Sequence, residues 1–468
     1  MEETYLNGID ATTGEYDRPP LNETELAAMA RFASVAPCVP VVRSTENSLG
    51  LPFGISPSDV SDAGWGVVFS QRETVAVRHA IDKLTDHRAA QFRDPRKRSQ
   101  RLRVLDYLDG EDKRQWLVRH GAEVADIDPR RVPYYLLLIG GPDKIPFQFG
   151  LDLDLDYCVG RLAFERPEDY EAYVSGLIEY EGQASPPRRK EVAVWATRHE
   201  DDPATRTSFD ELVQPLFLGT EEEPPIQTDT GFRLSSTCAA EADKRALSSA
   251  LAGSASFAFT ASHGICWPAG HERQRLFQGA LVSAEWRKRH QPVTATEYFS
   301  AEDLPDRASY LGLVTFHLAC FGAGTPFQDT YFGSQNFQPR KLATEAFVAA
   351  LPQHLLKNAN GPALAVLGHL DRAWGSSFLN PRALSTRLPF ENMVKRILMG
   401  YPLGLALQEF NERCKSLSAH LLTLRQKELQ HVHVTDQEWI HTWRARNDAQ
   451  GYFLLGDPAA RLRVEILD

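Results

Sequence analysis

The stretch FAFTASHGICW (257–267) runs apolar for several residues and then closes on Ser262, His263 and Gly264. A continuous apolar run of this kind suits a strand buried on both faces. Its ending presents an imidazole, followed at once by a residue without a side chain. A second stretch, GLVTFHLACFGAGTP (312–326), repeats the design with Cys320 as its polar ending.

Outward from these two stretches the chain alternates. PYYLLLIGG (133–141), EVAVWAT (191–197), SASFAFTAS (254–262), YLGLVTFHLAC (310–320) and PALAVLGHL (362–370) read as strands. TVAVRHAIDKLTDHRAAQF (74–92), PEDYEAYVSGLIEYE (167–181), residues 204–218 and KLATEAFVAALPQHLL (341–356) read as helices, the second opened by Pro167 in its first turn. Such alternation predicts an α/β fold with a mostly parallel sheet covered on both faces. In such sheets ligands bind beyond the carboxyl ends of the strands, where this reading places His263 and Cys320.

The length of 468 residues allows two or three domains, or one large domain with an attached layer. Residues 1–60 hold turn formers around one short helical segment, NETELAAMARFASV, with Asn22 or Thr24 as its cap, and read as an arm or cover. The exposed loop GQASPPRRK (182–190) marks a boundary between an α/β subdomain at 61–185 and a second unit at 186–468.

The formal charge of −11 argues against a nucleic-acid footprint, which needs clustered excess Lys and Arg. The basic runs at 93–103 and 186–190 read as solvated helix ends or loops. The first sixteen residues lack the basic and apolar regions of a signal peptide, and no window offers the ~18 consecutive apolar residues of a spanning helix. Six cysteines without a C-x-x-C pair point to reduced thiols in a cytoplasm.

A thiol becomes a good nucleophile when an imidazole lies within hydrogen-bond reach. Neighbouring parallel strands would bring His263 and Cys320 to that distance. Gly264 then has a use, because its N–H can approach a developing oxyanion with the N–H of Cys320 as second donor. Alone, a Cys at a strand end is ordinary core filling and a His an ordinary structural residue; the joint placement carries the case.

FAFTASHG and TFHLACFGAG resemble the His and Cys motifs of clan CD cysteine peptidases, the group of caspases, gingipains, separase and CHAT domains. VPYYLLLIGGPDKIPFQFG, then DYCVGRLAF and EAYVSGLIEYE, resemble the gingipain-like (C25) and CHAT pattern. YFLLGDPAARLRV (452–464) resembles the LLGDP ending of such domains. The resemblance runs in outline over residues 64–464. It implies a three-layer α/β/α caspase-hemoglobinase-like fold with an N-terminal extension, a pseudo-caspase-like subdomain at 61–185 and a caspase-like catalytic domain at 186–468. It also implies a cysteine endopeptidase with Cys320 as nucleophile, His263 as base and acid, and Gly264 as oxyanion donor. Phe321 and Gly322 follow the Cys in place of the caspase Q-A-C-x-G box, so aspartate specificity is not implied.

In gingipain-like enzymes an acidic residue shortly before the GR strand lines a pocket for a basic P1 side chain. The resemblance offers Asp152, Asp154 and Asp156 in LDLDLDYCVGR for this, and strand alternation would set all three on one face. A solvated edge or a Ca²⁺ site are the other readings of that cluster. GHLDRAWGSSF (368–378) offers Asp371 as a further acid and Trp374 as an apolar wall, or as plain packing. His271 with Cys266, and HVHV (431–434), lack the ligand spacing of a metal site, so neither metal nor cofactor is expected.

The expected partners are a protein substrate and, by resemblance to regulated bacterial defence and cell-death proteases, a regulatory protein. Neither nucleic acid nor a membrane is expected, and monomer and dimer both stand. The competing reading is a catalytically inactive scaffold on the same fold. A serine hydrolase lacks its G-x-S-x-G elbow.

Overall fold

The computed structural model describes residues 4–33, 51–124, 127–221, 224–286, 290–329, 340–375 and 387–468. Its strands are β1 (Gly8–Asp10), β2 (Trp65–Ser70), β3 (Leu102–Tyr107), β4 (Tyr135–Ile139), β5 (Cys158–Leu162), β6 (Arg189–Ala196), β7 (Arg233–Cys238) and β8 (Ala255–Ala261). They continue with β9 (Gly264–Cys266), β10 (Leu281–Val282), β11 (Tyr298–Phe299), β12 (Val314–Leu318), β13 (Gly324–Thr325), β14 (Phe347–Val348), β15 (Ala365–His369) and β16 (Tyr452–Gly456).

Ten of them form one sheet in the order β3-β2-β4-β5-β16-β15-β12-β8-β6-β7. The strands from β15 to β7 run parallel to one another, and β16 is antiparallel to β15. Strands β4, β8, β12 and β15 are buried along their whole length. Their unbroken apolar runs therefore reflect helices on both faces. A second small sheet, β1-β9-β10-β11, sits beside the carboxyl ends of β8 and β12.

Helix starts follow local chemistry. Thr74 accepts from the N–H of Val77 at the head of Val75–Ala90, and Asp112 with Gln115 forms a reciprocal cap before Lys113–Arg119. Arg88 at the end of the first of these helices is buried and paired with Glu181 at 2.8 Å and Asp457 at 2.9 Å. Asp457 also accepts from the Trp65 indole. A buried cation held by two carboxylates ties the first helix layer to the segment after β16, and removing either partner would strand a charge.

Three expectations change. Residues 341–356 are helical only over Ala350–Leu356, because Phe347 and Val348 pair with Thr325 and Gly324; strand pairing overrides helix propensity there. Residues 204–218 divide into Pro203–Ser208 and a wider π-type helix, Phe209–Leu218, with Pro215 inside. Most consequentially, Asp152 and Asp154 lie on a helix, Phe147–Asp154, with Asp156 just beyond it. Leu-Asp alternation imitates a strand, yet it is Phe149 and Leu153, four apart, that face the core.

Residues 4–33 are built into the molecule. Asn22 caps the helix Glu23–Ala33 through the N–H of Glu25. Leu26, Ala27 and Ala30 pack with Trp374, Trp439 and Trp443.

Candidate active site

Strands β8 and β12 pair in parallel with Leu318 opposite Ala261. Two residues further along each chain stand Cys320 and His263. Their backbones are so close that a Cβ added to Gly264 would lie 1.9 Å from the Cys320 carbonyl oxygen. Glycine is required here by proximity rather than by backbone dihedral.

His263 is fully buried, and its Nε2 lies 2.7 Å from Oδ2 of Asp202, also fully buried. Asp202 caps the helix Pro203–Ser208 at the end of β6, accepting from the N–H of Thr205 at 2.9 Å. The Tyr16 hydroxyl donates to its other oxygen. Burial alone would raise this carboxyl's pKa, but His263 and the hydrogen bonds from His263, Thr205 and Tyr16 outweigh it and hold it far below the carboxylate range. An ionised Asp202 accepts a hydrogen bond from Nε2–H, which leaves Nδ1 as the ring's unprotonated nitrogen; Nδ1 has no hydrogen-bond partner. The rings of Tyr16 and Trp286 stand edge-on to the imidazole at 5.7 Å.

The Cys320 thiol is likewise fully buried and donates to the carbonyl of Ala373 at 3.7 Å. Burial pushes its pKa well up, a state of low nucleophilicity. Cysteine and imidazole thus occupy adjacent strand ends without a hydrogen bond between them. Phe321 and Asp371, next to the site, both have positive φ (58° and 73°) and are joined by a 2.7 Å bond from the Phe321 N–H to the Asp371 carbonyl. Non-glycine residues held in this region store strain that packing must overcome.

Residues 4–18 cover the site. The N–H of Asn7 donates to the Ala373 carbonyl at 3.0 Å, and the Asn7 carbonyl accepts from the Gly264 N–H at 3.0 Å. Leu6 pairs antiparallel with Trp374, and Gly8–Asp10 pair in parallel with Gly264–Cys266. A Cβ on Gly8 would lie 3.3 Å from Cys320 Sγ. Arg372, fully buried, meets Asp17 at 3.5 Å, Asp329 at 2.5 Å and Asp371 at 3.1 Å, and Arg18 reaches Asp329 at 2.8 Å.

The other residues named from sequence fall elsewhere. Asp152 accepts from Gln148, Asp154 from the Val159 N–H and Asn411, and Asp156 from Lys113. Each is held by internal partners, and burial raises the Asp154 carboxyl to about 7. Asp371 is buried and bonded to the N–H and Nε of Arg372. The Trp374 ring packs on Trp443 at 5.7 Å, so only its backbone borders the cleft. Among the described residues no group of three or more His, Cys, Asp and Glu is arranged to hold a metal ion. Asp202 escaped the sequence reading, although a signal existed: Asp followed by Pro, at the end of the strand EVAVWAT, is a helix start at a carboxyl edge.

No family model and no curated protein matches the chain. Among solved structures it is similar to a protease at 11% identity, covering 86% of this chain and 78% of that one with a TM-score of 0.47. It is similar to the complex of Porphyromonas gingivalis RgpB pro- and mature domains at 12% identity, covering 86% and 80%, TM-score 0.47. The Arg-specific cysteine proteinase gingipain R gives 12% identity, 86% and 79% coverage and a TM-score of 0.45. The similarity is one of chain layout at low identity, a mixed α/β fold around a mainly parallel sheet.

Proposed function

We propose that the chain is a cysteine endopeptidase. The observation that carries this reading is the buried Asp202–His263 pair set beside Cys320, with the Gly264 N–H facing the same space. Once the thiol is turned towards the ring, Cys320 gives its proton to His263 Nδ1 and its sulfur attacks a peptide carbonyl carbon. The C–S bond forms as the carbonyl π pair moves to oxygen, and the Gly264 N–H receives that charge. Collapse breaks the C–N bond, and the imidazolium protonates the leaving amine. Water, deprotonated by Nδ1, then hydrolyses the thioester and releases Cys320. Asp202 holds the ring in the tautomer this requires and is a positioning residue.

The expected basic P1 pocket is not favoured, because Asp152, Asp154 and Asp156 are each engaged by internal partners. No helix among the described residues is long and apolar enough to cross a membrane. The five described cysteines are free, which supports a cytoplasmic setting. The substrate is a protein, and a regulatory partner fits a thiol that is buried at rest.

The test is active-site labelling with a peptidyl acyloxymethylketone, read by peptide mapping, beside hydrolysis of fluorogenic peptides. Label on Cys320 that is lost in His263→Ala, with hydrolysis lost in Cys320→Ala, supports the reading. Labelling of Cys320 no faster than that of Cys158 or Cys414, with no peptide cut, sinks it.

A further inference from the structure

The segment over the site runs through it as a peptide substrate would. An extended peptide adds to a sheet edge through main-chain hydrogen bonds, while pockets read its side chains. Leu6 pairs antiparallel with Trp374, and the Asn7 N–H bonds to Ala373, so the chain enters as an added strand. The Asn7 carbonyl then falls on the Gly264 N–H, the donor that would stabilise an oxyanion. Gly8 follows directly against the Cys320 sulfur and that of Cys266, whose Sγ a Cβ on Gly8 would approach to 3.1 Å. The Asn7–Gly8 peptide bond therefore lies where a scissile bond would lie.

The Asn7 side chain is buried beside Gly375. The residue is 1% exposed, and its Oδ1 has no hydrogen-bond partner. A Cβ built on Gly375 would be 3.2 Å from that oxygen and 3.4 Å from the Cβ of Ala204. Two small residues wall a space that holds a short amide, and a buried guanidinium or ammonium there would lose its hydration. Beyond Gly8 the segment is anchored by Tyr16 on Asp202 and by Asp17 near Arg372 and on Arg340 at 3.2 Å.

Resting on the peptidase reading, we infer that residues 4–17 are a built-in substrate mimic that occludes the site with Asn7 in the P1 position, and that the enzyme released from it cleaves proteins after asparagine. The tether makes occupancy intramolecular, so the closed form dominates until the anchors loosen. Turning of the thiol towards Ala373 instead of the imidazole explains how the Asn7–Gly8 bond survives in place.

The experiment uses the full chain and two variants that loosen the segment without replacing Cys320, His263 or Asp202: Gly8→Phe, whose ring cannot sit against the two sulfurs, and Asp17→Ala, which removes the ion pairs. Circular dichroism and thermal unfolding verify that each variant folds, and either alone suffices. Iodoacetamide labelling of Cys320 is followed by peptide mapping, and hydrolysis is followed on acetyl-Tyr-Leu-X-aminomethylcoumarin with X as Asn, Arg, Lys or Asp. The expected result is labelling about tenfold or more faster than in the unaltered chain, since the open form becomes the populated one, with Asn as the best X. Equal labelling in all folded forms overturns the inference. Hydrolysis led by Arg, Lys or Asp overturns it while the peptidase reading stands, and faster labelling with no peptide cut overturns both.

Discussion

Strands β4 and β8 are built alike and end differently. Each is a short apolar run, fully buried and closed by glycine. At the end of β4, Gly140 adopts φ 111°, its N–H donates to Leu162, and its carbonyl accepts from the buried Arg161. Glu73 and Lys144 close that corner as an ion pair at 2.9 Å. At the end of β8, His263 keeps one nitrogen without a partner, and the Gly264 N–H is answered only by the covering segment. The first ending is complete within its own half of the sheet. The second is complete only while residues 4–17 stay in place, and that incompleteness distinguishes a site from a corner of the core.

The contrast can be broken most severely at Cys320, the proposed nucleophile. In the Gly8→Phe background, Cys320→Ala and His263→Ala should each lower kcat/KM by about 10³-fold or more, whereas Lys144→Met at the β4 corner should change it by less than about twofold. Steady-state hydrolysis of the Asn peptide measures both, and a comparable loss at Lys144 would erase the distinction.

Asp202→Asn is next. It should cut kcat by about 10²-fold or more with KM little changed, since the ring loses its fixed tautomer. Because the Asp202 carboxyl is held far below the usual range, it stays ionised across the working pH, so the whole pH–rate curve should drop without either limb moving. A displaced acid limb would show that Asp202 titrates and is more than a positioning group.

The glycines sharpen the comparison through stability. Gly264→Ala drives a methyl to 1.9 Å from a backbone oxygen and should cost about 3 kcal/mol. Gly140→Ala meets the flexible end of Glu73 at 2.9 Å and adds mainly backbone strain, about 1–2 kcal/mol. Urea unfolding of both variants ranks them, and the reverse order would place the tighter corner at β4.

The last test lies away from the site and concerns pH. Asp154 has a folded value of about 7, against about 3.9 unfolded, so the folded state binds more protons between those limits. Stability should therefore fall as pH rises from about 4 to 7, by at most about 1.4 kcal/mol per pH unit from this group. Asp154→Asn should flatten that slope in thermal unfolding measured across the window. An unchanged slope would mean that the carboxyl ionises freely and is not desolvated.

Much of this was legible before any coordinates. The runs at 133–141, 191–197, 254–262 and 362–370 are strands because an unbroken apolar run has few other uses. Pro167 in its first turn and Asn22 as a cap marked helix starts through local dihedral and hydrogen-bond chemistry. Asp152 to Asp156 misled because a period of two in four residues cannot outweigh Phe149 and Leu153 at spacing four. Trp374, read as an apolar wall or as plain packing, packs its ring on Trp443 while its backbone pairs with Leu6. Asp202 was overlooked because nothing local shows that a helix cap faces an imidazole 61 residues away.

The sequence by itself determined the alternation of strands and helices and the placing of an imidazole, a glycine and a thiol just beyond two buried strands, because hydrophobic periodicity and turn chemistry act over a few residues. Tertiary structure alone decided that Asp202 orients His263, that the thiol turns to Ala373, and that Asn7 lies on the Gly264 N–H. Those are contacts between segments far apart in the chain, set by which surfaces the whole fold brings together and by the need of buried polar groups for a partner.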